Sequence, residues 1–382
     1  MRLNPKNEKM LAFFHGIKMK NDPISASTRS CLKEIYDVIM SCRDVSRQNI
    51  KKSESYVSRG PPSSSENSFY MPLKIKRFLE STPCYYNKYE SVQNGRRVFI
   101  HFCTYKKIDC HEYVLYMLNV ICVLDKFSCH KCLKSKDFHV YVYLTPFAKV
   151  LTESVIGVEH INTGINVKTA NCSVEHHDNI NEITIYREED WFKVFIHEAI
   201  HSFRLDFNET GKTHLKKTFP IATEFNLFEA YTEFWAEMIN IMYCAITQED
   251  GFDNVMKTMN DMIQIDRRFS LYQAMKILKH MNLTYDNVFV TTEKYREETH
   301  VFAYFILKQC FMYNFNEFVS CCKKNGRTLL DYDEKKIESI VEFIKHRCKC
   351  LHFLKDIKYM EKLRVKDREL LNTCKMTLFE LN

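Results

Sequence analysis

The chain has 382 residues, a net charge of +7 and 45% hydrophobic residues, enough apolar material for one large domain or two smaller ones with a sizeable core. Its sixteen Cys follow no secreted framework, the opening Met1–Lys6 is polar, and no apolar run approaches the length of a membrane span. A disulfide-stapled secreted domain and a membrane-spanning helix are thereby excluded. The expectation is an intracellular protein with mostly free thiols.

The elements follow in chain order. Ser27 to Ser46 reads as a helix. Residues 53–68 are Ser-rich around Gly60-Pro61-Pro62 and read as a linker. This divides the chain into an N-terminal helical segment with its linker (1–68), a sheet-containing part (69–187) and a helical part (188–382). Residues 97–106 alternate as a strand, and 111–127 read as a helix. Residues 138–145 are strongly β-forming, and Pro146 ends the run. Residues 160–168 suggest another strand with a bend at Asn162-Thr163-Gly164, and 182–186 a further one. From 188 onwards the pattern is almost wholly helical. Strands first and helices after argue for an α+β fold.

Residues 197–201 read His-Glu-Ala-Ile-His. On a helix, positions i and i+4 share a face, so His197 and His201 can grip one metal ion. Glu198 is then placed to take a proton from a water on that ion, the donor set of a zinc hydrolase. The context is helical: 188–207 contain neither Pro nor Gly, and Trp191, Val194, Phe195, Ile196, Ala199, Ile200 and Phe203 make a largely buried surface. Glu188, Glu189 and Asp190 are expected in the first turn, at the positive end of the helix dipole. Asp206 follows the motif and suits either a turn or the orientation of a ligand His.

A catalytic zinc takes three protein ligands and leaves one place for water. No third His follows closely, because the chain continues Ser202-Phe203-Arg204-Leu205-Asp206-Phe207, and His214 lies beyond Gly211. The other solution is a carboxylate on a second helix. Residues 224–241 carry Glu229, Glu233 and Glu237, four apart and on one face of an otherwise apolar helix. Stacked carboxylates repel one another unless something positive neutralises them, and a metal with its histidines is one such partner.

With these residues the chain resembles the gluzincin branch of zinc metallopeptidases. Phe228-Glu229-Ala230-Tyr231-Thr232-Glu233-Phe234 is similar in outline to the family's ligand segment Asn-Glu-Gly-x-Ala-Glu-Tyr, with Phe228 and Ala230 in place of the Asn and Gly. The resemblance implies Glu229 as third ligand and Glu233 as the carboxylate that orients a ligand His, or as the alternative ligand. It implies Zn²⁺ as cofactor, a peptide or protein substrate, and a zincin-like fold in which a small twisted sheet packs on the motif helix. Residues 138–240 further resemble uncharacterised metallopeptidases of large nucleocytoplasmic DNA viruses, which implies a viral, intracellular setting. An oxyanion-stabilising donor is also expected. His300 and Tyr304, i and i+4 on one helix, are candidates, and Tyr231 is another.

Two further patterns stand apart. Cys129-His130-Lys131-Cys132 has zinc-knuckle spacing, but no second CxxC completes a site, and a turn is expected there. His346, Cys348, Cys350 and His352 fit no ligand pattern and read as surface helix. Segment 343–369 holds nine Lys or Arg against four Asp or Glu, so nucleic acid is a conceivable partner, although a solvated helix face is the plainer reading. Two other function classes follow: a catalytically silent zincin-fold module binding a virion or host protein, and a nucleic-acid-associated structural protein.

Overall fold

The computed structural model describes residues 4–47, 50–60, 71–128, 137–151, 180–207, 215–223, 226–290, 294–295, 297, 299–324, 328–331 and 334–381. The strand expected at 160–168, the CxxC pair at 129–132 and His214 lie outside these residues. In chain order the elements are α1 (Glu8–His15), α2 (Ala26–Arg47), β1 (Lys51–Ser58), α3 (Leu73–Ser81), β2 (Cys84–Gln93), β3 (Arg96–Thr104), α4 (His111–Phe127), β4 (Asp137–Leu144), β5 (Ile180–Ile185), α5 (Trp191–Ser202), α6 (Leu227–Ile246) and α7 (Phe252–His280). A π-helical turn, Phe302–Leu307, leads into α8 (Lys308–Tyr313). Then follow α9 (Phe315–Lys324), α10 (Glu334–Arg347), α11 (Leu351–Glu361) and α12 (Arg368–Asn372). The fold is α+β, with a helical C-terminal half. No helix among the described residues is long and apolar enough to cross a membrane.

The chain forms two compact units. The first draws on Ile35–Ala148 and Asn162–Leu205, the second on Arg2–Glu34, Lys149–Ile161 and Asp206–Asn382. The first unit is built on a sheet of order β1-β2-β3-β4-β5. Its β1/β2 and β2/β3 pairs are antiparallel, its β3/β4 and β4/β5 pairs parallel. Side chains alternate across a strand, so Ile100, Val140 and Ile183 fall in one row and Phe102, Val142 and Ile185 in the next. All six are buried. Helix α5 lies on this apolar face, where Trp191 meets Phe102 edge-on with ring centroids 6.0 Å apart. Past the end of α5, Phe203 meets Phe138 in the same way, also at 6.0 Å. On the other face, Ile75 and Leu79 of α3 cover one end, packing with Cys84, Cys103, Tyr143 and Tyr186.

Two features depart from the expected elements. Residues 53–58, part of the expected linker, belong to the edge strand β1. Its side chains are mostly exposed, so it lacks the apolar alternation by which a strand is read. Strand β2, most of whose side chains are buried or half-buried, is a second addition, and the hairpin to β3 carries a legible signal. Asn94 (φ 51°) and Gly95 (φ 82°) form its two-residue turn, with Gln93 opposite Arg96, the positive-φ geometry that Asn-Gly favours.

The second unit centres on α6, which is buried along almost its whole length. Phe234 meets Phe318 of α9 edge-on at 4.7 Å, and Phe318 stacks on Phe311 of α8 at 4.0 Å. The chain's two ends meet here: Asn7 Nδ2 donates to Glu380 Oε2 at 2.8 Å, and Lys375 Nζ donates to the same oxygen at 2.9 Å.

Phe102→Ala is expected to cost the protein about 3–5 kcal/mol, the usual range for emptying a buried Phe site. Val57→Thr, on exposed β1, is expected to stay within about 0.5 kcal/mol. Urea unfolding of both variants checks the contrast, and equal losses would mean that the sheet's apolar row is not the core of its unit.

Candidate metal centre

Helix α5 starts later than its composition suggests. Glu188, Glu189 and Asp190 precede it rather than filling its first turn. The Glu188 N–H donates to Thr145 O at 3.0 Å, which ties this segment to the end of β4. Asp190 then sits in the left-handed region (φ 56°) and blocks backward extension of the helix. Its carbonyl accepts from Val194 N at 2.9 Å. The other end closes after one turn of the motif. Arg204 is left-handed (φ 51°), and Leu205 N–H reaches Ile200 O at 3.0 Å.

Between these stops, His197 and His201 turn their Nε2 atoms towards each other at 3.0 Å, with the rings inclined by 75°. Two imidazole nitrogens on one tetrahedral zinc stand about 3.3 Å apart, given bonds of about 2.0–2.1 Å. A neutral pair can also share one N–H···N hydrogen bond at the observed distance. A third donor stands beside the pair. His197, His201 and Glu229 each offer one ligand atom, and these atoms all lie within 4.8 Å of one another. His197 is 5% exposed and Glu229 6%. The donor set, two imidazoles and a carboxylate with His201 half-buried, fits a zinc-type divalent cation. Among the described residues no second group of three such donors gathers.

The neighbours of these donors are polar and buried. Glu198 is 2% exposed. Its charge reaches Tyr186: burial pushes that phenol up, Arg187 pulls it down, and Glu198 pushes it up again, with a net rise. Tyr304 Oη donates to Glu229 Oε2 at 3.0 Å. A carboxylate has two oxygens, so one can accept from Tyr304 while the other serves as ligand. Tyr304 rides on the π-helical turn, a geometry frequent at functional sites. Glu297 holds the start of that turn, accepting from Phe302 N at 2.6 Å and from Tyr295 Oη at 2.7 Å. Burial raises its carboxyl to about 8, although both hydrogen bonds pull the other way. His300 lies beside Asn226, whose Nδ2 is 3.3 Å from its Nε2. Tyr231 stands elsewhere. Its hydroxyl donates to Leu330 O at 3.3 Å, and its ring packs on Phe207 at 5.4 Å, so it is a core aromatic.

The acidic stripe of α6 is divided between two kinds of partner. Glu229 joins the histidines, while Glu237 meets a cation that the spacing did not reveal. Lys308 Nζ lies 2.5 Å from Glu237 Oε2 and 3.0 Å from Ser270 Oγ. Burial alone would pull the Lys308 ammonium down, but Glu237, Glu233 and Asp266 together outweigh it and hold it above its ordinary value. Asp266 is pushed well up, first by burial and then by Glu237, and it accepts from Thr377 Oγ1 at 3.2 Å. A cationic side chain thus neutralises part of this helix face without any metal. Lys308 sits in the apolar run Phe305-Ile306-Leu307, where a lone lysine carries no motif.

Comparison with family models, with curated proteins and with solved structures finds no match.

Lys308→Met should destabilise the protein by about 3–5 kcal/mol, because it strands Glu237 without its cation. Adding Glu237→Gln should recover much of that loss in a double-mutant cycle; purely additive losses would mean that the pair is not coupled. Glu297 gives a pH signature. The folded chain keeps its proton up to about 8, while the unfolded chain loses it near the ordinary value of about 4.3. Its stabilising contribution is complete below the lower value and is lost as pH rises through the upper one. Glu297→Gln keeps an acceptor for Phe302 and should flatten that fall in melting temperature between about pH 5 and 8. An unchanged slope counts against Glu297 as its source.

Proposed function

We propose that this chain is a zinc-dependent metallopeptidase of gluzincin type, with a peptide or protein as substrate. One observation carries the reading: the ligand atoms of His197, His201 and Glu229 converge within 4.8 Å, with Glu198 next to the first of them in the chain. The alternation of sheet and motif helix in the first unit agrees with a zincin-like arrangement, in which α5 rests on the sheet.

His197 and His201 offer neutral imidazole nitrogens, and Glu229 offers a carboxylate oxygen. A zinc ion held by them supplies a Lewis acid that polarises a carbonyl and acidifies water. Glu198 accepts the proton of the attacking water and delivers it to the leaving amine as the peptide bond breaks. Tyr304 fixes the orientation of Glu229 through its hydrogen bond. Glu233, one turn on, is the alternative ligand, or the carboxylate that orients a histidine. His300 is the remaining candidate for donating to the oxyanion. The low exposure of His197 and Glu229 limits the bulk water that competes for these charges.

Metal analysis of purified protein, beside Glu198→Gln and Glu229→Gln, tests the reading. Wild type and Glu198→Gln are expected to hold one zinc per chain, and Glu229→Gln to lose it. Peptide-library cleavage should fall at least about a hundredfold in Glu198→Gln. Absence of zinc after supplementation would reduce the motif to a hydrogen-bonded histidine pair and end the enzyme reading. Zinc without cleavage in wild type would favour a silent binding module, and zinc kept in Glu229→Gln but lost on changing Glu233 would move the ligand by one turn.

A further inference from the structure

The basic C-terminal segment takes no part in the candidate site, and its charges are sorted by side. Helix α11 buries Phe353, Ile357 and Met360. Its two carboxylates are engaged inside the second unit: Asp356 Oδ2 accepts from Tyr313 Oη at 2.6 Å, and Glu361 Oε1 accepts from Tyr285 N at 2.8 Å. Lys355, Lys358 and Lys362, along one face of the helix, are exposed, as are Arg364 and Lys366 beyond it. Among the described residues none of these five is in an ion pair. By contrast, the half-buried Lys323 and Lys345 are tied, to Glu34 at 2.5 Å and to Glu342 at 2.6 Å. The exposed acids Asp367 and Glu369 lie past the strip, beside Arg368.

We infer that this strip, Lys355 to Lys366, is a binding surface for the phosphate backbone of a nucleic acid. Turning the acids inward leaves a run of cations with no counter-charge of its own, which is what a polyanion neutralises. The helical part spans about 10 Å from Lys355 to Lys362 at 1.5 Å per residue, long enough to meet successive phosphates. Tyr359, 41% exposed, stands among the cations and offers a ring on which an unpaired base can stack. A membrane surface fits poorly. A helix lying in lipid turns its apolar face outward, whereas here that face is buried and only Leu351 and Tyr359 remain outside.

The test is fluorescence anisotropy of a labelled single-stranded oligonucleotide of about 20 nucleotides, titrated with the full chain at several salt concentrations. Five phosphate contacts predict a slope of log K against log salt of about −3.5. Replacing Lys355, Lys358 and Lys362 together by Gln is expected to weaken binding at least about tenfold and to flatten the slope by about 2, with melting temperature unchanged. Lys106→Gln with Lys107→Gln, an exposed pair in the first unit, should leave binding as in wild type. The inference is overturned if the triple variant binds like wild type, if the Lys106 and Lys107 control loses as much, or if the wild type binds anionic phosphatidylserine vesicles but not the oligonucleotide.

Discussion

The constraint on which the second unit depends is the neutralisation of carboxylates inside an apolar helix. Helix α6 carries Glu229, Glu233 and Glu237 on one face and is buried along almost its whole length. A buried carboxylate without a partner costs several kcal/mol, so each must meet a cation, a donor or a proton. Glu237 meets Lys308 and Ser270, and Asp266 beside it keeps its proton. Glu229 meets Tyr304 and the donor atoms of two histidines. The packing of α7, α8 and the π-helical turn around α6 follows from supplying these partners. Lys308 opens α8, Asp266 and Ser270 lie on α7, and Tyr304 lies on the turn.

That arrangement explains how much of the site was legible. His197 and His201 are four apart on one helix, a spacing readable from sequence alone. Glu229 stood out because a charged residue on an apolar helix demands a reason. Lys308 did not stand out. A lone lysine in an apolar run has no periodicity, and only the three-dimensional neighbourhood of Glu237 gives it a role. Tyr231 is the reverse case. It stood out by proximity to Glu229 along the chain, yet two residues on a helix is a turn of about 200°, and its hydroxyl is used by Leu330.

The fold divides in the same way. Strands β3, β4 and β5 and helices α4, α5 and α6 announce themselves because burial on a face imposes a period of 2 or 3.6 on their apolar residues. Strand β1 is held chiefly by backbone pairing to a neighbour. An exposed edge strand such as Lys51–Ser58 needs little apolar content to pair, and Ser and Lys there guard against further pairing. The start of α5 was misplaced for a related reason. Acidic residues suit a helix's first turn, but the Glu188 bond to Thr145 and the left-handed Asp190 impose a boundary that only tertiary contacts decide.

Charge inside the protein and on its surface answers to one requirement. Where water is excluded, the charge of Glu237 on the α6 stripe is matched at short range by Lys308, and the match fixes which elements pack together. On α11 the same requirement draws Asp356 and Glu361 inward, onto Tyr313 and the backbone of Tyr285. The lysines on the opposite face are released from any such duty, because water solvates an isolated ammonium at little cost. Satisfying the interior thus leaves an electropositive exterior as its by-product. That surface can attract a polyanion at no expense to the fold, since changing an exposed, unpaired lysine disturbs no contact on which α11 depends.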